Sequence, residues 1–219
     1  MTNQKYIGLI GSRQLPAIYK IRIKQVIKCL LDKGYGIASG GAMGADNYVL
    51  ESLLELDAAQ RGIIFSAWQD YSQFPQSVIK SAKKFSALGG KIIWGDTQPF
   101  APYKTVAVGL RSRNVRLVSR VAGLVAFIAG NSRGTIFTIT QAIQRNVPVV
   151  VFCCDSYGRF PIIETGSWQP LKEKSCWENS FKFVPAQQRP VFAADRKQAA
   201  APVLWRAATP SLPIGAAIL

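Results

Sequence analysis

The sequence predicts an α/β fold: a Rossmann-like, doubly wound and mainly parallel sheet, followed by a C-terminal extension rich in proline and aromatic residues. Between residues 6 and 152, short apolar runs alternate with stretches whose apolar side chains recur at helical spacing. The apolar runs are nearly continuous, as in strands that are buried on both faces of a parallel sheet. Glycine-containing turns follow several of these runs, where a strand leads into a helix.

The first part of this pattern contains four strands and three helices. In residues 17–33, apolar side chains recur with basic residues between them, which predicts an amphipathic helix that ends at Gly34. The same reasoning gives strands at 6–10, 35–39, 63–65 and 91–94, and helices at 17–33, 45–56 and 76–88. Because a helix joins each strand to the next, neighbouring strands are expected to be parallel.

The second part has the same alternation and then changes character. The predicted elements are a helix over about 107–120, a strand at 123–128, a polar loop at 129–134, a helix at 135–145 and a strand at 147–152. After Cys154, prolines and aromatic residues show neither the strand nor the helix period. We therefore predict a Rossmann-like nucleotide- or nucleic-acid-binding domain at residues 1–154. Residues 155–219 are predicted to pack on this core as an extension with a loose tail.

The composition excludes several kinds of site. The chain has no histidine, so an imidazole base and histidine-ligated metals are ruled out. Its four cysteines form no C-x-x-C pair and are too few for a disulfide framework, and we expect neither a cofactor nor a metal. No apolar run reaches the roughly 18 residues of a membrane-spanning helix, and the start lacks a signal-peptide pattern. A cytoplasmic protein without a membrane partner is expected.

The charge of the chain indicates an anionic partner. The formal net charge is +15, from 27 basic and 12 acidic residues. Between Lys80 and Arg145 there are 11 basic residues, and Asp96 is the single acidic one. Such a segment favours phosphate-bearing molecules through long-range attraction and counterion release. A solvated basic surface without a partner is the alternative interpretation.

Three glycine-containing loops and one arginine-rich helix should face the same crevice in this topology. Each loop follows a strand and precedes a helix, where backbone amides and the helix dipole can bind an anion. Arginines at helical spacing in residues 111–116 suit bidentate phosphate binding, and Asp46 at a helix start can cap free amides. The predicted phosphate-binding residues are Gly11, Ser12, Arg13, Ser39, Gly40, Gly41, Gly44, Asp46, Arg111, Arg113, Asn114, Arg116, Ser132, Arg133, Gly134 and Thr135.

Four motifs, in this order, resemble the core of a known family. They are Gly11-Ser12-Arg13, Ser39-Gly40-x-Ala42-x-Gly44-x-Asp46, Arg113-Asn114 and Gly134-Thr135-x-x-Thr138-x-x-x-Ala142. Over residues 5–153 the chain is similar to the DNA-processing protein A (DprA/Smf) family. That family belongs to a superfamily that also holds the lonely-guy phosphoribohydrolases. The resemblance implies a basic crevice for single-stranded DNA and a role in loading a recombinase.

Our leading hypothesis is non-enzymatic binding of single-stranded DNA or a nucleotide through this crevice. A nucleotide-processing enzyme resembling the phosphoribohydrolases, or a nucleotide sensor, is an alternative. The enzyme is disfavoured because Thr138 stands where that family has a glutamate, and a hydroxyl cannot act as a general acid or base at neutral pH. A third hypothesis is a structural role, in which the C-terminal extension docks on a second copy or on another protein.

Overall fold

The computed structural model describes residues 4–155, 160–172 and 175–186, which contain five α-helices and one eight-stranded sheet. The strands are β1 (Tyr6–Gly11), β2 (Gly36–Gly40), β3 (Gly62–Phe65), β4 (Lys91–Ile93), β5 (Gly123–Ile128), β6 (Val149–Cys153), β7 (Gly166–Pro170) and β8 (Ser180–Pro185). The α-helices are α1 (Tyr19–Asp32), α2 (Ala45–Glu55), α3 (Gln76–Ala87), α4 (Tyr103–Val118) and α5 (Arg133–Gln144). Single turns of 3₁₀ helix lie at Ala59–Arg61 and Tyr71–Gln73.

The strands follow the order β4-β3-β2-β1-β5-β6-β8-β7, and the first six are parallel. Ile7 in β1 pairs with Ile37 on one side and with Gly123 on the other. The direction in which the chain adds strands therefore reverses between β1 and β5. At such a switch point the loops after the two strands diverge and leave a crevice. The prediction of a doubly wound, mainly parallel sheet is confirmed.

Helices cover both faces of the sheet, as the near-continuous apolar strands predict. Successive side chains of a strand point to opposite faces, so Leu9 and Ile10 belong to different buried clusters. The cluster around Leu9 includes the apolar faces of α1, α2 and α3, whereas that around Ile10 includes those of α4 and α5. The sheet is thus fixed from two sides, which leaves the carboxyl ends of its strands to form a site.

Most element boundaries lie within two residues of the sequence prediction, and three helix or strand starts show why they differ. Helix α4 begins at Tyr103 rather than near residue 107, directly after Pro102, whose missing amide costs nothing at a helix start. Helix α5 begins at Arg133, so Gly134 lies in its first turn and not in a loop. Strand β6 begins at Val149, because the amide of Val147 still donates to Ala142 O (2.9 Å) at the end of α5. The earlier starts of α4 and α5 bring both helices closer to the crevice.

Two antiparallel strands close the described part of the chain. Strand β8 pairs with β6 and with β7 in antiparallel register. Aromatic side chains on these strands and at Phe160, just before β7, form edge contacts. The ring centroids are 4.5 Å apart for Phe160 and Phe181 and 5.2 Å apart for Trp168 and Phe183. The predicted tail falls in 187–219, outside the described residues. No helix within the described ranges is long and apolar enough to cross a membrane.

Candidate functional site

Two adjoining cavities open at the carboxyl ends of the parallel strands. The large cavity, of about 630 Å³, lies between the loops that follow β1 and β5. The small cavity, of about 220 Å³, lies beside the loops that follow β2 and β3. Residues Arg13, Ala42, Val106, Leu110 and Arg113 line both cavities. A ligand can therefore occupy the two spaces together.

The large cavity brings together eleven of the sixteen residues predicted from the sequence. These are Gly11, Ser12, Arg13, Asp46, Arg111, Arg113, Asn114, Ser132, Arg133, Gly134 and Thr135. Gly41 lines the small cavity instead. The other four, Ser39, Gly40, Gly44 and Arg116, line neither cavity.

Ser12 ties together the two sides of the large cavity. Its amide donates to Phe127 O at 2.9 Å, and its hydroxyl oxygen accepts the amide of Ala129 at 2.8 Å. The side chain is 2% exposed. These contacts join the loop after β1 to the loop after β5 and so fix the width of the crevice.

The loop after β2 is shaped by close packing around its glycines. Gly44 has a φ of +72°, and a Cβ there would overlap the carbonyl oxygens of Ser12 and Arg13. A Cβ at Gly40 would overlap the guanidinium of Arg113. The buried hydroxyl of Ser39 donates to Leu9 O at 2.7 Å. These predicted site residues act on the fold by letting neighbouring loops approach closely.

Asp46 and Arg113 form a buried ion pair. Asp46 Oδ2 lies 3.2 Å from Arg113 Nη1 and also accepts the amide of Ala42 at 3.4 Å. Burial raises the pKa of Asp46 above its ordinary value, and Arg113 opposes that rise. Within the described part of the chain, Arg113 Nε is buried without a hydrogen-bond partner. Arg113 therefore reaches the cavities already paired with a carboxyl group and with its Nε–H unused.

Arg116 lines neither of the two cavities that Arg113 lines. Its guanidinium donates to Trp94 O at 2.9 Å and to Ser66 O at 2.8 Å. Arg116 follows Arg113 by three positions, which places it about 4.5 Å further along the axis of α4. At that distance its side chain meets the ends of β3 and β4. Arg116 thus joins two loops of the sheet, in contrast to the phosphate-binding role predicted for it.

Three arginines at the large cavity have positive charges that no described acidic side chain pairs with. Arg13, Arg111 and Arg133 are exposed, and their side chains form no salt bridge or hydrogen bond with described residues. Among the described residues that line this cavity, Asp46 is the single acidic one. The lining therefore carries an excess of positive charge in a concave space, which attracts anions.

The first turn of α5 adds backbone donors to the same cavity. The side chain of Ser132, the residue before the helix, accepts no capping hydrogen bond and instead lies 2.8 Å from the hydroxyl of Thr135. The amides of Gly134 and Thr135 have no acceptor in the described ranges. A Cβ at Gly134 would meet nothing within 4 Å, so an anion has room to approach. Free amides at a helix start are suited to binding a phosphate.

Several lining residues were missed by the sequence analysis. The large cavity also includes Gln14 and Asn131, and the small cavity includes Gln73 and Phe74. Tyr103 also lines the large cavity, because α4 begins one turn earlier than the sequence predicted. The spacing of Val106 and Leu110 behind a proline was the signal that could have extended the helix. Nothing in the pattern of the loop after β3 marks Gln73.

The fold and the site together define a Rossmann-like protein with a cationic crevice at the switch point of its sheet. The chain belongs to the DNA recombination-mediator protein A family, whose model matches residues 1–162. The family membership predicted from the four motifs is confirmed. None of the curated protein sequences compared with the chain matches it.

Solved structures share the fold at low sequence identity. DNA processing protein A from Helicobacter pylori, described for its single-stranded DNA binding mode, has 20% identity and a TM-score of 0.58 over 69% of this chain and 66% of that one. DNA processing protein A from Streptococcus pneumoniae has 16% identity and a TM-score of 0.55 over 70% of this chain and 52% of that one. The chain thus spans about two thirds and about half of these two proteins. A molybdenum cofactor binding protein from Rippkaea orientalis has 14% identity and a TM-score of 0.50 over 72% of this chain and 82% of that one.

Proposed function

We propose that the protein binds single-stranded DNA without catalysis, by holding its phosphates in the large cavity. The observation that carries the proposal is the convergence of Arg13, Arg111 and Arg133 on one cavity. Each comes from a different element, and each has its guanidinium free of described partners. Family membership and the DNA-binding protein from Helicobacter pylori support the same class of ligand.

The concave shape of the large cavity favours a single strand over a duplex. Duplex DNA is stiff over tens of base pairs, so its phosphates stay on the outside of a rod. A single strand bends freely and can insert a phosphate between the loops after β1 and β5. A positively charged groove that follows the backbone is the common way in which proteins bind single strands without sequence preference.

The described lining offers no free carboxylate for cleaving a glycosidic bond. The carboxyl group of Asp46 is paired with Arg113. The hydroxyl of Thr138 donates to Gly134 O at 2.8 Å, within its own helix. These contacts favour binding over hydrolysis. Docking of a second copy or of another protein on residues 155–219, and a cytoplasmic location, stay predictions.

The test compares two arginines at opposite ends of α5. Arg133 lies at the start of α5 in the large cavity, and Arg145 follows its end, exposed and outside the cavity. Binding of a fluorescein-labelled thymidine 20-mer is measured by anisotropy over a series of salt concentrations. For a phosphate contact, Arg133→Gln should weaken binding and lower the slope of log K against log salt by about 0.7. Arg145→Gln should match the unmodified protein.

Two results would reject the proposal. One is an affinity that does not change with salt. The other is an equal effect of Arg133→Gln and Arg145→Gln, because this would place the contacts on a general basic surface rather than in the large cavity. An RNA strand of the same length, measured in parallel, tells whether the site distinguishes DNA from RNA.

A further inference from the structure

Two thiols that are distant in the sequence meet on the outside of α1. Cys29 belongs to this helix, and Cys176 lies in the turn that precedes β8. Burial, and then a hydrogen bond with the Cys29 thiol, raise the pKa of Cys176 to about 11, so the two side chains are in contact. Both residues are partly exposed, and neither lines the large or the small cavity. A small reagent can therefore reach this pair away from the proposed DNA site.

Arg22 holds the backbone of Cys176 against α1. Its Nη1 donates to the carbonyl oxygens of Ser175 at 3.3 Å and of Cys176 at 3.4 Å. Arg22 and Cys29 are seven positions apart in α1, which is close to two helical turns, so they share one face of the helix. The turn before β8 thus lies over the face that carries Cys29, and this placement does not depend on the contact between the thiols.

The turn that carries Cys176 is itself fixed. The amide of Trp177 donates to Ser175 Oγ at 3.3 Å, and the hydroxyl of Ser180 donates to Trp177 O at 2.6 Å. The ring of Trp177 stacks on Phe152, with centroids 6.4 Å apart. Cys176 and Trp177 also pack against the buried cluster that includes the apolar face of α1. Because a disulfide needs a narrow range of backbone separations, two rigid supports for its cysteines favour its formation.

The other two cysteines are placed differently. Cys153 and Cys154 are adjacent in sequence but pack into different buried clusters, so their side chains point to opposite faces of the sheet. Opposite directions disfavour a bond between them. Cys29 and Cys176 are thus the pair that is arranged to join.

We propose that Cys29 and Cys176 are a modification site, at which a low-molecular-weight disulfide such as oxidised glutathione forms a reversible disulfide bond that ties α1 to the turn before β8 and stabilises the fold. The thiolate of one cysteine attacks oxidised glutathione and releases one glutathione. The second cysteine attacks the resulting mixed disulfide and releases another. Two protein thiols are oxidised to one disulfide, and one glutathione disulfide is reduced to two thiols, which take up the two protons.

The experiment incubates the full chain with oxidised glutathione at pH 8, where more of each thiol is ionised. Proteolysis and mass spectrometry should find the peptides of Cys29 and Cys176 joined, with a combined mass lower by two hydrogen atoms. Since the bond constrains the unfolded chain, it should raise the urea midpoint by about 1 M, and dithiothreitol should reverse the shift. In Cys29→Ser, Cys176 should stop at the mixed disulfide with glutathione and the midpoint should not rise.

Cys153→Ser is the matched control, because it removes a thiol outside the pair, and it should form the same cross-link with the same shift. Stable glutathione adducts on both Cys29 and Cys176, or a disulfide that joins two chains, would overturn the proposed pairing. A fully cross-linked chain with an unchanged urea midpoint would overturn the proposed stabilisation. None of these outcomes affects the proposed function, since affinity for the thymidine 20-mer is measured separately and should be the same before and after oxidation.

Discussion

Asp46 Oδ2 lies 3.2 Å from Nη1 of Arg113 and so joins the first turn of α2 to α4 where the two cavities meet. Asp46 is 5% and Arg113 is 7% exposed. Removing one member of a buried pair leaves the other without a counter-charge, which costs more than the pair itself contributes. Arg113 therefore supports the fold at the same point where it lines both cavities.

Arg113→Ala should lower the free energy of unfolding by about 3 kcal/mol, because the carboxyl group of Asp46 would remain buried and unpaired. Arg113→Lys, which keeps a positive charge, should lower the free energy of unfolding by less than Arg113→Ala does. Urea denaturation measures both. The control is Arg111→Ala on the same helix, which removes an exposed arginine and should change stability by less than about 0.5 kcal/mol. Equal losses for the two alanine variants would show that the ion pair does not stabilise the fold.

Two glycines of the site should respond in opposite ways to alanine. Gly44→Ala should cost about 2 kcal/mol or more, because its φ of +72° is strained for other residues and a Cβ would overlap two carbonyl oxygens. Gly134→Ala should leave stability unchanged or raise it by up to about 1 kcal/mol, since its Cβ meets open space in a helix. Thermal or urea unfolding distinguishes the two variants.

Gly134→Ala also tests the approach of the ligand to α5. The added methyl group would occupy the room beside the free amides of the first turn. Affinity for the thymidine 20-mer should fall about fivefold, the equivalent of one lost hydrogen bond. A variant that is as stable as the parent and binds as tightly would show that DNA does not contact this helix start.

The contact between α1 and α2 should make stability depend on acid pH. Hydrogen bonds from Lys20 and then Lys24 lower the pKa of Glu55 from 4.5 to about 2. The folded state thus favours the ionised carboxylate, and the stabilisation is complete above pH 4.5 and is lost as the pH falls through about 2. Glu55→Gln should cost at most about 1 kcal/mol at pH 7, because the pair is partly exposed.

The difference between Glu55→Gln and the parent should then shrink in urea titrations as the pH is lowered from 5 to 2. Glu164→Gln serves as the control, because Glu164 is exposed and forms no salt bridge with described residues. A difference in stability between Glu55→Gln and the parent that stays constant from pH 5 to pH 2 would contradict the lowered pKa of Glu55.

The cysteines at the end of β6 should react slowly. Burial raises the pKa of Cys153 to about 11 and that of Cys154 to about 12, with a further contribution from the charge of Asp155. Since the thiolate is the nucleophile, alkylation by iodoacetamide at pH 8 should be more than about tenfold slower in the folded protein than in urea. Timed labelling followed by mass spectrometry measures this, and equal rates in both states would contradict the burial of the two thiols.

The sheet and its order of elements could be predicted from sequence because apolar runs and helical periods are local signals. The six parallel strands fall close to their predicted positions. Gly44 and Gly134 were placed beside helix starts for the same reason. The sequence alone could not show which polar side chains already form ion pairs or hydrogen bonds within the protein. Arg113 and Arg116 look alike in the sequence, yet one pairs with Asp46 and the other donates to two carbonyl oxygens.

The small cavity was beyond sequence prediction for a physical reason. It is formed by loops that follow different strands, so Gly41 and Phe74 meet only after β2 and β3 have paired. Phe74 is 4% exposed and would be assigned to the core by any hydrophobic pattern. Only the fold places Trp68 at this cavity.

The pairing of Ile7 with Gly123 has a consequence for biosynthesis. Strand β5 is the fifth to leave the ribosome, yet it must insert beside the first. Until that insertion, Ser12 lacks the carbonyl of Phe127 and the amide of Ala129, and the crevice has one wall. A nascent chain that ends before β5 therefore still lacks one side of the crevice in which we propose that DNA binds.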